Sequence, residues 1–126
     1  MMTSESAKRL AGVRVFVAED EFHVLQLIED MLAELGCTVT DAVSSVRRGL
    51  DSAAATDAQV ALLDVNLRGM TIFPVAHILR NRGIPIVFST GYGADGLDAE
   101  WKTYPVIQKP FAVERLEAVL AGVVLR

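Results

Sequence analysis

Short apolar runs alternate with segments of helical periodicity along nearly the whole chain, and this alternation constrains the fold more than any other feature. Residues 13–18 are rich in β-branched side chains, and residues 60–63 are wholly apolar, as expected for a strand covered on both faces. Strict alternation of strands and helices favours right-handed crossovers, which give a parallel sheet with helices on both sides. The sequence therefore predicts an α/β domain.

The helices and the remaining strands follow from the same patterns. Apolar residues recur at helical spacing from Phe22 to Leu35, and Gly36 stands where a C-terminal glycine cap belongs. Ser44 is the predicted N-cap of the next helix, which Gly49 weakens. The predicted strands are 13–18, 37–43, 60–63, 84–88 and 106–107, and the predicted helices are 22–35, 44–55, 72–82, a short one within the glycine-containing stretch 91–102, and 112–125. Five strands and five helices indicate a flavodoxin-like (βα)5 doubly wound sheet with strand order 2-1-3-4-5.

Length and composition indicate one packed domain. A chain of 126 residues with 52% hydrophobic side chains can bury a core but has no room for a second domain. We assign residues 12–126 to this domain and predict a flexible leader over 1–11. The leader has no apolar core of a signal peptide, and no apolar run is long enough to span a bilayer.

Charge and cysteine content limit the classes of partner and of structural cross-link that the chain can have. The net charge of −4 argues against nucleic acid and membrane surfaces as partners, because both need a basic face. The single cysteine, Cys37, cannot form an internal disulfide, and zinc-type Cys and His spacing is absent from the sequence. We therefore expect a cytoplasmic protein with no nucleic-acid or membrane partner.

Polar residues follow four of the predicted strands. Glu19 and Asp20 come after the first strand and Asp64 after the third, while Thr90 and Lys109 follow the fourth and fifth. Because parallel strands end at one edge of the sheet, where open α/β sheets bind ligands, these side chains should converge. Three carboxylates this close need a counter-charge, and oxygen ligands without His or Cys suit Mg²⁺. Taken alone, an acidic pair is often just a helix N-terminus favoured by the dipole.

A carboxylate beside such an ion can attack phosphorus and form an aspartyl phosphate. Lys109 would then place a charge near one phosphoryl oxygen, and Thr90 would donate a hydroxyl to another. Lys109 and Thr90 also have ordinary structural interpretations. A lysine before proline is usually solvated, and a threonine after a strand usually caps a helix or stabilises a turn. Their joint placement at neighbouring strand ends favours the phosphoryl-binding site.

These motifs resemble the receiver domains of bacterial two-component response regulators. The resemblance covers residues 13–125 and includes the acidic pair, the Leu-Leu-Asp-Val-Asn-Leu segment around Asp64, the Phe-Ser-Thr-Gly-Tyr segment and Lys-Pro-Phe from Lys109. It implies that Asp64 is the phosphoacceptor and that Asp20 and Asp64 bind Mg²⁺ directly. It further implies Glu19 as a ligand, directly or through water, the backbone carbonyl of Asn66 as another ligand, and Mn²⁺ as a substitute ion. A cis bond before Pro110 belongs to the same pattern.

Three departures from the family pattern stand out. Val106 occupies the position where the family carries a rotating Tyr or Phe, and Tyr104 lies two residues earlier on the same face. The loop after Asp64 reads Leu-Arg-Gly-Met instead of Leu-Pro-Gly-Met, and Thr-Ile follows it in place of Asp-Gly. The Phe-Ser-Thr-Gly-Tyr segment is similar to an alphaproteobacterial subgroup with a Phe-Ala-Thr-Gly signature. We predict that residues 91–102 switch in place of the missing aromatic.

Rival interpretations are weaker. Residues 91–96 match the spacing of a dinucleotide fingerprint, but that motif belongs on the first strand–helix turn. A Mg²⁺-dependent phosphatase or phosphotransferase of the haloacid-dehalogenase type would need an Asp two residues after its nucleophile, where this chain has Asn66. An amide cannot shuttle protons, so the phosphorylated state should persist. His23 and His77 are expected to be ordinary helix residues.

The resemblance implies a stand-alone signalling domain rather than an enzyme with its own substrate. Such a domain promotes its own phosphorylation from a phosphohistidine donor and loses the phosphoryl group slowly. The expected partners are a sensor histidine kinase or histidine phosphotransfer protein, a downstream protein target, and a second copy in a phosphorylation-dependent dimer. The alternative source is a receiver excised from a hybrid histidine kinase.

Overall fold

The computed structural model describes residues 8–91 and 96–125. The elements in chain order are β1 (Arg14–Ala18), α1 (Phe22–Glu34), β2 (Thr38–Val43), α2 (Val46–Ala55), β3 (Val60–Asp64), β4 (Asn66–Leu67), β5 (Met70–Thr71), α3 (Phe73–Asn81), β6 (Ile86–Thr90), a 3₁₀ turn (Ala99–Trp101), β7 (Val106–Gln108) and α4 (Val113–Val124). The core is a five-stranded, fully parallel sheet with order β2-β1-β3-β6-β7. Because β4 and β5 form a separate hairpin, the main sheet has the predicted 2-1-3-4-5 order, and the α/β flavodoxin-like fold is confirmed.

The sheet separates two apolar cores. Alternate residues of each strand point to opposite faces, so Val17 and Leu62 pack on one side while Phe16 and Leu63 pack on the other. Helices α1 and α4 cover the first face through residues such as Leu32, and α2 and α3 cover the second. All five residues of β3 are buried: the apolar run 60–63, as its sequence predicts, and also the carboxylate residue Asp64 that ends the strand.

The N-cap of helix α2 lies one residue later than predicted, and the packing of the helix accounts for the glycine at position 49. Ser45, not Ser44, is the N-cap, because its Oγ accepts the Arg48 N–H at 3.3 Å. A Cβ at Gly49 would lie 2.9 Å from Val75 Cγ2. The glycine therefore lets α2 approach α3 closely, and this packing outweighs its poor helix propensity.

The predicted fourth helix is wrong for the part that the structure describes. Within residues 96–105 the chain has 3₁₀ conformation, including the turn at Ala99–Trp101, but no α-helix, so the described chain has four α-helices instead of five. Each glycine lowers helix stability by about 1 kcal/mol relative to alanine, and three occur within residues 91–96. Residues 92–95, which belong to the predicted switch segment 91–102 and form the middle of the dinucleotide-like motif 91–96, lie outside the described residues.

Part of the predicted leader packs with the domain. Residues 8–11 are described and lead into the first strand through a turn in which Leu10 is fully buried beside β1 and α1. The Leu10 carbonyl accepts the Val13 N–H at 3.1 Å. The rest of the leader prediction, residues 1–7, lies outside the described residues. In the part of the chain that the structure covers, no helix has the length and hydropathy needed to cross a bilayer.

Candidate functional site

The predicted site residues come together at the C-terminal edge of the sheet. Glu19 and Asp20 follow β1, Asp64 ends β3, and Thr90 ends β6. Lys109 follows β7, and its backbone N–H donates to the Thr90 carbonyl at 2.9 Å. The parallel topology thus places side chains from four strands at one edge, where doubly wound sheets form their ligand sites.

Three carboxylates form the centre of this site. Glu19, Asp20 and Asp64 each offer an oxygen, and these three oxygens lie within 4.8 Å of one another. Glu19 is 1% exposed and Asp64 is 7% exposed, whereas Asp20 is half-buried. Buried carboxylates at this spacing repel one another and require compensating positive charge.

Lys109 supplies part of that charge. Its Nζ lies 3.0 Å from Asp64 Oδ2 and 3.1 Å from Glu19 Oε1. The peptide bond between Lys109 and Pro110 is cis, which confirms that prediction. One ammonium group therefore pairs with carboxylates from two different strands.

Burial and pairing shift the protonation of this cluster. Burial raises the pKa of Glu19, and the negative charge of Asp64 adds to the increase, although hydrogen bonds from Glu21 and Lys109 oppose it. Burial lowers the pKa of Lys109, but its hydrogen bonds and charge interactions with Asp64 and Glu19 outweigh this, so the net pKa is raised. Lys109 is consequently a firmly protonated cation at neutral pH.

Backbone N–H groups also point at each carboxylate. The Glu21 N–H donates to Glu19 Oε2 at 3.1 Å, and the Asn66 N–H lies 3.3 Å from Asp64 Oδ1. The Arg68 N–H donates to Asp20 Oδ2 at 2.7 Å. Main-chain N–H groups thus orient all three carboxylates, and Lys109 also contacts two of them, Glu19 and Asp64.

Thr90 and Asp64 share a cleft. The cleft has a volume of about 460 Å³, and its lining also includes Asn66, Thr71 and Lys109. Thr90 itself is 3% exposed. Asp64 and Lys109 also line a second, mostly apolar cleft beside α1, so they lie between two openings.

The sequence patterns do not predict the β4–β5 hairpin that follows Asp64. Asn66–Leu67 pairs antiparallel with Met70–Thr71, and the Asn66 side-chain oxygen accepts the Gly69 N–H at 2.9 Å. The one available signal was the Arg-Gly pair between two short segments, since glycine is common in two-residue hairpin loops. An arginine at the first loop position hides that signal.

The residues around the absent aromatic switch form an aromatic cluster. Val106 and Tyr104 pack against the same core, as strand alternation predicts. Trp101 is fully buried, with its ring 5.0 Å from Tyr104 and stacked on Phe73 at 5.9 Å. Trp101 therefore fills part of the core against which Val106 packs.

The two histidines are not part of the carboxylate cluster of the site. His23 is the second residue of α1, and its ring meets Phe22 edge-on. His77 in α3 lies 3.2 Å from Glu100 Oε1 and contacts the ring of Trp101. Neither belongs to the cluster of potential metal ligands among the described residues.

Comparison with known proteins identifies the fold and the family. The sequence model of the response regulator receiver domain family matches residues 15–121 of this chain. The transcriptional regulatory protein TcrA of Mycobacterium tuberculosis is 34% identical over 119 residues, which cover 89% of this chain. The chain spans 46% of that relative, or about half its length.

Solved structures agree with this assignment. SdrG from Sphingomonas melonis Fr1 superposes with a TM-score of 0.80 at 35% identity, over 91% of this chain and 98% of SdrG. The receiver domain of the sensor histidine kinase PA1611 from Pseudomonas aeruginosa, which holds a magnesium ion in its active site cleft, superposes with a TM-score of 0.75 at 24% identity. That alignment covers 92% of this chain and all of the other, and it shows a shared fold.

Proposed function

Because this chain belongs to the response regulator receiver domain family of two-component systems, we propose that it accepts a phosphoryl group on Asp64 with Mg²⁺ bound beside it. The observation that supports this most strongly is the position of Asp64. Its carboxylate is almost fully buried at the end of a central strand, 3.0 Å from Lys109 Nζ and next to Glu19 and Asp20. An ionised group has no packing reason to occupy that position.

The donor set fits Mg²⁺. Three carboxylate oxygens lie within 4.8 Å of one another, and no His or Cys accompanies them in the described chain. Hard oxygen ligands of this kind suit Mg²⁺, which retains several waters, and Mn²⁺ accepts the same ligands. We assign the site to Glu19, Asp20, Asp64 and the backbone carbonyl of Asn66. When bound, the ion neutralises carboxylate charge and polarises a phosphoryl oxygen.

Phosphoryl transfer then depends on Asp64 as the nucleophile. One of its oxygens attacks the phosphorus of a phosphohistidine, the O–P bond forms, the P–N bond breaks, and the imidazole leaves with the electron pair of that bond. The protein does not need a general base for this step, because the attacking group is already a carboxylate. Transfer is therefore mainly a matter of positioning and charge.

Lys109 and Thr90 would bind the transferred group. Lys109 already contacts Asp64 Oδ2, so its ammonium is within reach of a phosphoryl oxygen attached to that carboxylate. Thr90 lines the same cleft and offers a hydroxyl donor to another oxygen. Both groups would stabilise the negative charge of the phosphoryl oxygens, so they favour transfer.

The domain is proposed to be a signalling module and not an enzyme that turns over a separate substrate. A dehalogenase-type phosphatase needs a second acid two residues after its nucleophile, and here that position is Asn66. The Asn66 amide oxygen accepts the Gly69 N–H, so the side chain serves the hairpin. Without a proton shuttle, hydrolysis of the aspartyl phosphate is expected to be slow.

The partners follow from this chemistry. The donor is a sensor histidine kinase or a histidine phosphotransfer protein, and the output is contact with a downstream protein or a second copy of the domain. The net charge of −4 disfavours nucleic acid and anionic lipid as partners. The cytoplasm is the compartment in which such a phosphorylation system operates.

The proposal is tested with acetyl phosphate and Mg²⁺. Intact-protein mass spectrometry should show one added phosphoryl group on the wild type and none on Asp64→Asn. Asp51→Asn is the matched control, because Asp51 is an exposed carboxylate on α2, and it should be phosphorylated like the wild type. A phosphoryl group that persists in Asp64→Asn would contradict the assignment.

A further inference from the structure

The hairpin after Asp64 holds its turn in an uncommon backbone conformation. Arg68 and Gly69 connect β4 to β5, with φ values of 52° and 83°. Two-residue hairpin loops of this type require positive φ at both central residues. Glycine adopts such values freely, whereas a left-handed conformation costs other residues about 1–2 kcal/mol.

This conformation directs main-chain donors at the acidic cluster. The Arg68 N–H donates to Asp20 Oδ2 at 2.7 Å across 48 residues of sequence. The Asn66 N–H, on the same hairpin, faces Asp64 Oδ1 at 3.3 Å. The Arg68 guanidinium takes another direction and reaches Ser44 Oγ at 3.5 Å. The contact with Asp20 is thus made by the backbone of Arg68 and not by its side chain.

The contact with the Arg68 N–H matters for Asp20 because Lys109 does not pair with this carboxylate. Lys109 pairs with Glu19 and Asp64, and Asp20 is not among its hydrogen-bond partners. A charge-assisted bond from a backbone N–H fixes one Asp20 oxygen and leaves the other oxygen available to a cation. Hydrogen bonds that orient ligating carboxylates typically change metal affinity 10–100-fold.

We propose that Arg68 is a positioning residue of the cation site: its backbone N–H holds the Asp20 carboxylate in place for Mg²⁺. This inference rests on the proposed function, since it concerns the same ion. The guanidinium has no part in the role. Any residue with a backbone N–H that tolerates positive φ can therefore serve, and proline cannot.

The test compares two proteins that differ at one backbone atom. The first is Arg68→Gly, which keeps the N–H and removes the guanidinium. The second is the same variant with an ester in place of the amide between residues 67 and 68, which removes the N–H without imposing a new φ. Calorimetric titration with Mg²⁺ should give equal affinity for wild type and Arg68→Gly, and about tenfold weaker affinity for the ester. Melting temperatures without Mg²⁺ identify any general loss of folding.

A nuclear magnetic resonance measurement provides a second test that does not need the ester protein to fold. The amide proton of residue 68 in the wild type should lie far downfield and should move upfield in Asp20→Asn. Equal Mg²⁺ affinity of the amide and ester proteins, or an amide proton insensitive to Asp20→Asn, would overturn the inference and leave the proposed function intact. Absence of Mg²⁺ binding by the wild type would overturn both.

Discussion

Lys109 Nζ lies 3.0 Å from Asp64 Oδ2, although 45 residues separate the two side chains in sequence. The same ammonium lies 3.1 Å from Glu19 Oε1, so one cation joins two nearly buried carboxylates. With Asp20 included, three carboxylates face one lysine, and the two remaining negative charges match one divalent cation. We therefore expect Lys109 to compete with a metal ion for these carboxylates and to bind the phosphoryl group once it is attached to Asp64.

Replacing Lys109 by alanine should separate these two effects. The carboxylates lose their counter-charge, so Mg²⁺ affinity should rise, while the phosphorylation rate with acetyl phosphate should fall about 100-fold because phosphoryl oxygens lose a cationic donor. Lys102→Ala is the control, since Lys102 is exposed and makes no contact with the cluster. Calorimetry measures the Mg²⁺ affinity, and time-resolved mass spectrometry measures the phosphorylation rate. A Lys109→Ala protein that is phosphorylated at the wild-type rate would exclude Lys109 from the reaction.

A second prediction concerns the contact between α2 and α3. Gly49→Ala should destabilise the protein by about 1–3 kcal/mol, because the new Cβ would meet Val75 Cγ2 at 2.9 Å. Gly122→Ala in α4 is the matched control: its Cβ would meet no atom within 4 Å, and helix propensity should raise stability by up to about 1 kcal/mol. Urea unfolding measures both. Equal effects of the two substitutions would contradict the close approach.

A third prediction compares two buried hydroxyls. Ser89 Oγ has no hydrogen-bond partner within the described structure, so Ser89→Ala should leave stability unchanged or raise it by about 1 kcal/mol. Thr56 Oγ1 donates to Asp41 Oδ1 and accepts the Ala58 N–H, so Thr56→Val should cost about 1–3 kcal/mol. Thermal and urea denaturation measure the difference. A clear loss of stability in Ser89→Ala would mean that its hydroxyl is bound to something.

Switching without the usual aromatic leads to a fourth prediction. Trp101 is the chain's one tryptophan, lies within the segment 91–102 that is expected to move, and packs against Phe88 and Tyr104. In Mg²⁺ and beryllofluoride, its fluorescence and the amide exchange of residues 96–102 should change. Asp64→Asn should show neither change, because it cannot hold the phosphoryl mimic. Fluorine magnetic resonance shows whether beryllofluoride is bound to the wild type. If it is bound and neither the fluorescence nor the amide exchange changes, the switch lies elsewhere in the domain.

The sequence was sufficient to predict the sheet order and the residues at its edge. Strand–helix alternation determines which strands are parallel, and the topology then brings Glu19, Asp20 and Asp64 together without any knowledge of side-chain contacts. The ends of the strands could be located because apolar runs stop at polar residues. The residues of the site were therefore predictable from one-dimensional patterns.

The parts that escaped prediction depend on tertiary contacts. The β4–β5 hairpin requires Arg68 at positive φ, which no propensity favours and which its N–H bond to Asp20 helps to stabilise. Ser44 and Ser45 are both good N-caps by residue type, and only the backbone geometry shows that Ser45 caps α2. The expected fourth helix gives way to a 3₁₀ turn in which Trp101 is buried.

The central claim is that Asp64 carries a phosphoryl group, and reductive trapping tests it most directly. The wild type is incubated with Mg²⁺ and acetyl phosphate, reduced with borohydride, digested and sequenced by mass spectrometry. An aspartyl phosphate is reduced to homoserine, so the account predicts homoserine at position 64, and only when both Mg²⁺ and the phosphodonor are present. Homoserine at another position, or its complete absence from a protein that binds Mg²⁺, would contradict the account.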